Sequence, residues 1–281
     1  MPYKQTEHNP YIEAFWKWWP NLFPDLHTFR ITGGEPLLLK DTFKVLEYIQ
    51  KHHNQNSKIS LAINTNLGVP DKLLEKFITI AKDLCENNKV RELIIFTSVE
   101  GTNKQAEYTR YGLEYDKFWS NIDKVLTELP KVTINIMATF NALSVFTYSD
   151  LIDRVFEYKK KYANGERYWI SALQLDTSYL RWPTHLSVKI LEEDHKDLIL
   201  KSAEKALYYG IKEFTQDNYG FSNVEIQKIK RIYDYATGNT DFNQEKYRKD
   251  FVKFVDEYDK RRDTNFVETF PELKSMYDKV K

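Results

Sequence analysis

The chain has 281 residues, enough for one large domain or one domain with an appendage. With 42% hydrophobic and 15% aromatic residues it has the material for a packed core, which excludes global disorder. Lysine plus arginine and aspartate plus glutamate each number 41, so a formal net charge of zero gives no electrostatic case for a nucleic acid or an anionic membrane as partner. No apolar run approaches the length of a membrane span, and the opening residues MPYKQTEHNPYIE lack the apolar region of a secretory leader. The single cysteine, Cys85, excludes an internal disulfide and predicts a reducing, cytoplasmic compartment.

Taken in order, Pro10 to Phe23 reads as a helix, apolar nearly all round through Phe15, Trp16, Trp18, Trp19, Leu22 and Phe23, and so buried. Leu26 to Ile31 reads as a short strand, and Gly33-Gly34-Glu35-Pro36 follows. Asp41 is placed to cap a helix with Phe43, Val45, Leu46 and Ile49 on one face, ending at His52. His52 and His53 suit the negative end of that helix and are read as surface residues. Ile59 to Asn66 is the second strand. Pro70 and Asp71 open a helix with Leu73, Leu74, Phe77, Ile78, Ala81 and Leu84 in register, and Cys85 sits beside that face as a structural thiol.

Arg91 to Gly101 is the third strand, its apolar run typical of a sheet covered on both faces. A loop with Tyr108, Arg110 and Gly112 precedes a helix from Tyr115 to Leu129. Val132 to Phe140 is a fourth strand, Tyr148 to Tyr162 a helix, and Tyr168 to Leu175 a fifth strand followed by Asp176. Helices over Leu191–Tyr209, with His195 on an exposed face, Ser222–Ala236 and Gln244–Arg261 complete the chain. Ser222 and Glu225 are spaced as a capping box, and Gly238 lies just past that helix.

Strand–helix alternation predicts an α/β fold of about five parallel strands over 1–186, with a helical C-terminal extension over 187–281. Parallel strands bring their carboxyl ends to one rim, where such folds bind ligands. The rim candidates are Glu35, Asn64, Asn66, Ser98, Glu100, Asn141 and Asp176. Gly33 and Gly34 let a ligand approach the main chain, and Pro36 fixes the chain behind Glu35. Without further information this stretch also reads as a tight turn with a solvated glutamate.

The motif ITGGEPLL resembles the GGE element of the radical S-adenosylmethionine superfamily, whose fold implies a partial (β/α) barrel of about five parallel strands here. The loop Tyr108–Gly112 resembles its SPASM and twitch branches, and the tail Tyr258–Leu273 the carboxyl end of its twitch-domain proteins, implying a twitch-like extension. That resemblance implies that Gly33, Gly34 and Glu35 hold the amino group of the methionine moiety. Thr65-Asn66 resembles the TNG after the family's third strand, and Ser98-Val99-Glu100-Gly101 its S-x-D-G, with Glu for Asp. Tyr108-Thr109-Arg110-Tyr111-Gly112 resembles a following DxxR-type loop, which would set Arg110 against the methionine carboxylate. The implied cofactors are S-adenosylmethionine and, in a full-length protein only, a [4Fe-4S] cluster. The family's CxxxCxxC loop precedes GGE, and no cysteine precedes Gly33 here. A lone thiol cannot hold such a cluster. The chain is therefore expected to be inactive alone, as a fragment starting after the cluster loop or as a natural cluster-less relative. The alternative is a binding protein for S-adenosylmethionine or a peptide on the same fold. A metal-dependent hydrolase has no support, since the six histidines show no HxH or HExxH spacing.

Overall fold

The structure, a computed structural model, describes residues 9–53, 59–163, 171–210, 219–238 and 241–281. Helix α1 (Pro10–Leu22) starts at Asn9, whose side chain accepts the Tyr11 N–H at 3.0 Å, with proline at its first position. Then follow β1 (Thr28–Ile31), α2 (Lys40–His52), β2 (Ser60–Asn64), α3 (Asp71–Glu86) and β3 (Glu92–Thr97). Next come α4 (Asn103–Thr109), α5 (Tyr115–Glu128), β4 (Thr133–Phe140), α6 (Tyr148–Lys161) and β5 (Leu173–Tyr179). The C-terminal region is helical, with α7 (Glu193–Tyr208), α8 (Asn223–Thr237) and α9 (Gln244–Arg262) as its longest elements.

The five strands form one parallel sheet in the order β1-β2-β3-β4-β5, as the alternation predicts. Register defines its two faces. Phe29, Leu61, Leu93, Ile134 and Leu173, with Ile31, Ile63, Ile95, Ile136 and Leu175, form one face. That face packs into a single core with Leu46 and Ile49 of α2, Leu74 and Phe77 of α3, Ile122 and Val125 of α5, and Leu151 and Val155 of α6. Trp19 of α1, fully buried, joins it through Phe29, with ring centroids 4.8 Å apart. The opposite face carries Arg30, Asn64, Phe96, Asn135, Met137, Thr139, Gln174 and Asp176, and these residues stay half-buried or exposed. The expectation of a sheet sealed on both faces is therefore corrected. Burial alternates strictly along β3, and Ile94 and Phe96 belong to the open face. An unbroken apolar run hides this period-2 alternation.

Other boundaries also shift. The expected loop around Tyr108 is largely helix α4, and Tyr108 lies inside it. The fifth strand starts later than expected and continues through Asp176 to Tyr179, while 168–170 lie outside the described residues. Asp176 is thus mid-strand, opposite Met137, rather than at the rim. His195 is half-buried, its ring edge-on to Phe146 at 5.1 Å, instead of exposed. Gly238 caps α8 with an ordinary negative φ of −59°, so its glycine serves no left-handed turn.

One buried group helps to join the C-terminal helices to the sheet. The Glu225 carboxylate completes the capping box of α8 with Ser222 and also accepts the Leu175 N–H of β5 at 2.8 Å. It pairs at 2.9 Å with Lys159, whose side chain is fully buried. Among the described residues no helix is long and apolar enough to cross a membrane.

Candidate functional site at the strand rim

Beyond β1 the chain turns through Gly33, whose φ of +139° favours glycine. A Cβ at Gly33 or Gly34 would meet nothing within 4 Å, so the space over this backbone is open, and both glycines are exposed. Pro36 is buried at the start of a short 3-10 turn, Pro36–Leu38. Glu35 caps this turn by accepting the Leu37 N–H at 3.1 Å. The same carboxylate accepts the Thr65 hydroxyl at 2.7 Å and the Asn66 N–H at 2.8 Å. Glu35 therefore ties the end of β1 to the loop after β2. Three donors on a carboxylate with about four acceptor positions leave room for one more.

Asn64 ends β2 and accepts from the Arg30 Nε at 2.8 Å, on the open face of the sheet. After β3, Glu100 is nearly fully buried and forms a two-pronged pair with Arg110, Nε to Oε2 at 2.6 Å and Nη2 to Oε1 at 2.5 Å. Burying a carboxylate requires such a partner. Arg110 keeps about a third of its side chain exposed, and its remaining donors are what a ligand would meet. The Asn141 side chain is spent locally, accepting from Leu143 and donating to Thr139, so it shapes the loop after β4.

Two cavities open beside this rim. One, of about 150 Å³, is lined by Asn66, Ser98 and Arg110 together with Tyr111 and Lys117. The other, of about 410 Å³, is lined by Glu100, Arg110, Thr139 and Asn141 from the barrel half and by Phe254 and Tyr258 from α9. Arg110 borders both, and Gly33, Gly34 and Glu35 border neither; Asn66 links the two groups through its N–H to Glu35. Asp176 stands apart, paired with Lys228 of α8 at 2.6 Å.

No protein-family model matches this chain, and no curated protein or solved structure is significantly similar to it.

The donor sets can still be tested against the groups the motifs imply. An open diglycine backbone beside a carboxylate with spare acceptor capacity fits an ammonium group. An iron–sulfur cluster does not fit. Cys85 is the sequence's one cysteine, it is buried on α3, and burial pushes its thiol up to about 12. Glu192, Asp194 and His195 gather at the start of α7, where acidic groups complement the helix dipole, and Glu192 is engaged by Lys279 at 3.0 Å.

The sequence reading missed two features. One is the aromatic wall that α9 adds, where Tyr258 donates to the Tyr108 carbonyl at 2.7 Å and Arg262 lies over Tyr111 at 4.0 Å. Nothing in the linear sequence pairs those segments. The other is Arg30. The alternation Thr133-Ile134-Asn135-Ile136-Met137-Ala138-Thr139-Phe140 could have exposed the polar face to which it belongs.

Proposed function

We propose that this chain is a small-molecule-binding core of radical S-adenosylmethionine type, whose strand rim holds S-adenosylmethionine by its methionine end. The observation that supports this reading is the Glu35 carboxylate, fixed against the loop after β2 beside an open diglycine backbone. In this reading Glu35 and the Gly33–Gly34 main chain take the ammonium. Arg110, anchored by Glu100, offers its free donors to the carboxylate, and Ser98 lines a cavity beside Arg110. The chain's own residues bind and orient. Cluster ligands are lacking among them, so no redox step is assigned. A second reading, a binding protein without radical chemistry on the same fold, is favoured by the inert environment of Cys85.

Calorimetry with S-adenosylmethionine tests the assignment. Glu35→Gln keeps an acceptor for the loop and removes the charge. Losing a charge-assisted contact should weaken binding about tenfold or more. Absence of saturable binding to the folded wild-type chain, or equal affinity for Glu35→Gln, would overturn the assignment.

A further inference from the structure

The open face of the sheet holds a cation with no carboxylate to balance it. Arg30 points from β1 onto this face and lies flat across it. Its Nε donates to Asn64 at 2.8 Å, its guanidinium carbon sits 4.0 Å over the Phe96 ring, and Nη2 is 3.8 Å from the Met137 sulfur. The group, though exposed, is thus held over β2, β3 and β4. A surface arginine ordinarily keeps its freedom or takes an acidic partner. Among the described residues Arg30 forms no ion pair, and two acids of the open face and rim are paired with other cations: Asp176 with Lys228 and Glu100 with Arg110.

The neighbouring positions are polar carboxamides. Register sets Asn135 opposite Phe96 and Gln174 opposite Asn135. The Asn135 amide donates weakly to Gln174, at 3.4 Å, and its buried Oδ1 has no hydrogen-bond partner. A parallel sheet normally buries both faces under apolar layers, and the polar residues here suit no such layer. They suit a ligand that brings a negative group for Arg30.

We propose that the open face around Arg30, Asn64, Phe96, Asn135 and Gln174 is an oxyanion-binding site for a small carboxylate or phosphate compound. Arg30 presents planar, fixed donors to the oxyanion, as guanidinium groups do for both carboxylate and phosphate. The site lies on β1 three residues before Gly33 and does not depend on the S-adenosylmethionine reading.

The test uses the whole chain labelled with ¹⁵N, following the arginine Nε–Hε resonances while inorganic phosphate, acetate or glycolate is added. The Arg30 resonance, identified by its loss in Arg30→Gln, should shift saturably. Response to phosphate or to the carboxylates tells which oxyanion is taken. Calorimetry should show affinity reduced about tenfold or more in Arg30→Gln. No saturable shift with any of the three probes, or equal affinity for a folded Arg30→Gln chain, would overturn the proposal.

Discussion

Replacing Lys159 by methionine tests the joint between the sheet and the C-terminal helices. The Lys159 ammonium is fully buried, 2.9 Å from Glu225 Oε1 and 3.3 Å from the Ser171 hydroxyl. Burial holds it below the ordinary lysine range, and Glu225 pulls in the opposite direction. Methionine fills similar volume and removes the charge, leaving the Glu225 carboxylate buried alone. Breaking one side of a buried pair costs about 3–5 kcal/mol. Glu225 keeps the Leu175 N–H and the Ser222 N–H and O–H, each at 2.8 Å, so the lower end applies. We therefore expect a loss of about 3 kcal/mol, or a urea midpoint lower by roughly 1 M at a slope near 3 kcal/mol/M. Glu225→Gln should cost more, because the ammonium is then left with Ser171 and the Phe221 ring at 5.0 Å. The double variant removes both charges and should be more stable than the sum of the single losses predicts, by about 1–3 kcal/mol. Urea unfolding followed by circular dichroism at neutral pH reads all four proteins. A loss below about 1 kcal/mol for Lys159→Met, or strict additivity, would refute the claim that this pair is coupled across α6, β5 and α8.

Other expectations follow from single contacts. A Cβ at Gly101 would meet the Thr147 hydroxyl at 2.6 Å, and that hydroxyl accepts the Thr102 N–H. Gly101→Ala should therefore cost about 1–3 kcal/mol in urea unfolding; a neutral result would show that Thr147 swings away freely. The buried Asn121 donates to the Leu67 carbonyl, and Leu67 holds a left-handed φ of 56°. Asn121→Ala should cost about 1–3 kcal/mol and raise hydrogen exchange in the loop after β2; unchanged exchange would count against that role. Burial raises the Cys85 thiol to about 12, so the folded state holds its proton more tightly than the unfolded state. The stability this brings is complete below the unfolded thiol value, about 8.5, and is lost as pH rises toward the folded one. Above about pH 9 the wild type should lose urea resistance faster than Cys85→Ala; parallel curves would contradict the assignment.

Much of the fold was legible in the chain itself. β-branched runs broken by glycine and proline placed the first four strands and overlapped only the start of the fifth, and the 3.6-residue spacing of Leu74, Phe77, Ile78 and Ala81 placed a typical crossover helix. The Ser222–Glu225 capping box was equally readable, because its hydrogen bonds close within one turn. What local pattern cannot carry is the identity of a partner distant in sequence. Glu225 closes a helix cap by itself, but only the packing of α8 on β5 brings it to Leu175 and Lys159. Glu35 was visible as a charged residue at a strand end, and Arg110 as one in the segment after β3. The tertiary structure decided that three groups of this chain already engage Glu35 and that Glu100 forks Arg110. Asp176 read as a rim residue because the end of β5 is set by its pairing with β4, which continues to Phe140 and Tyr179. Arg30 carried no signal beyond its place in the first strand. Only sheet register lays it over Phe96 and beside Asn135, because a period-2 strand fixes which face a side chain takes and neighbouring strands fix what it meets there.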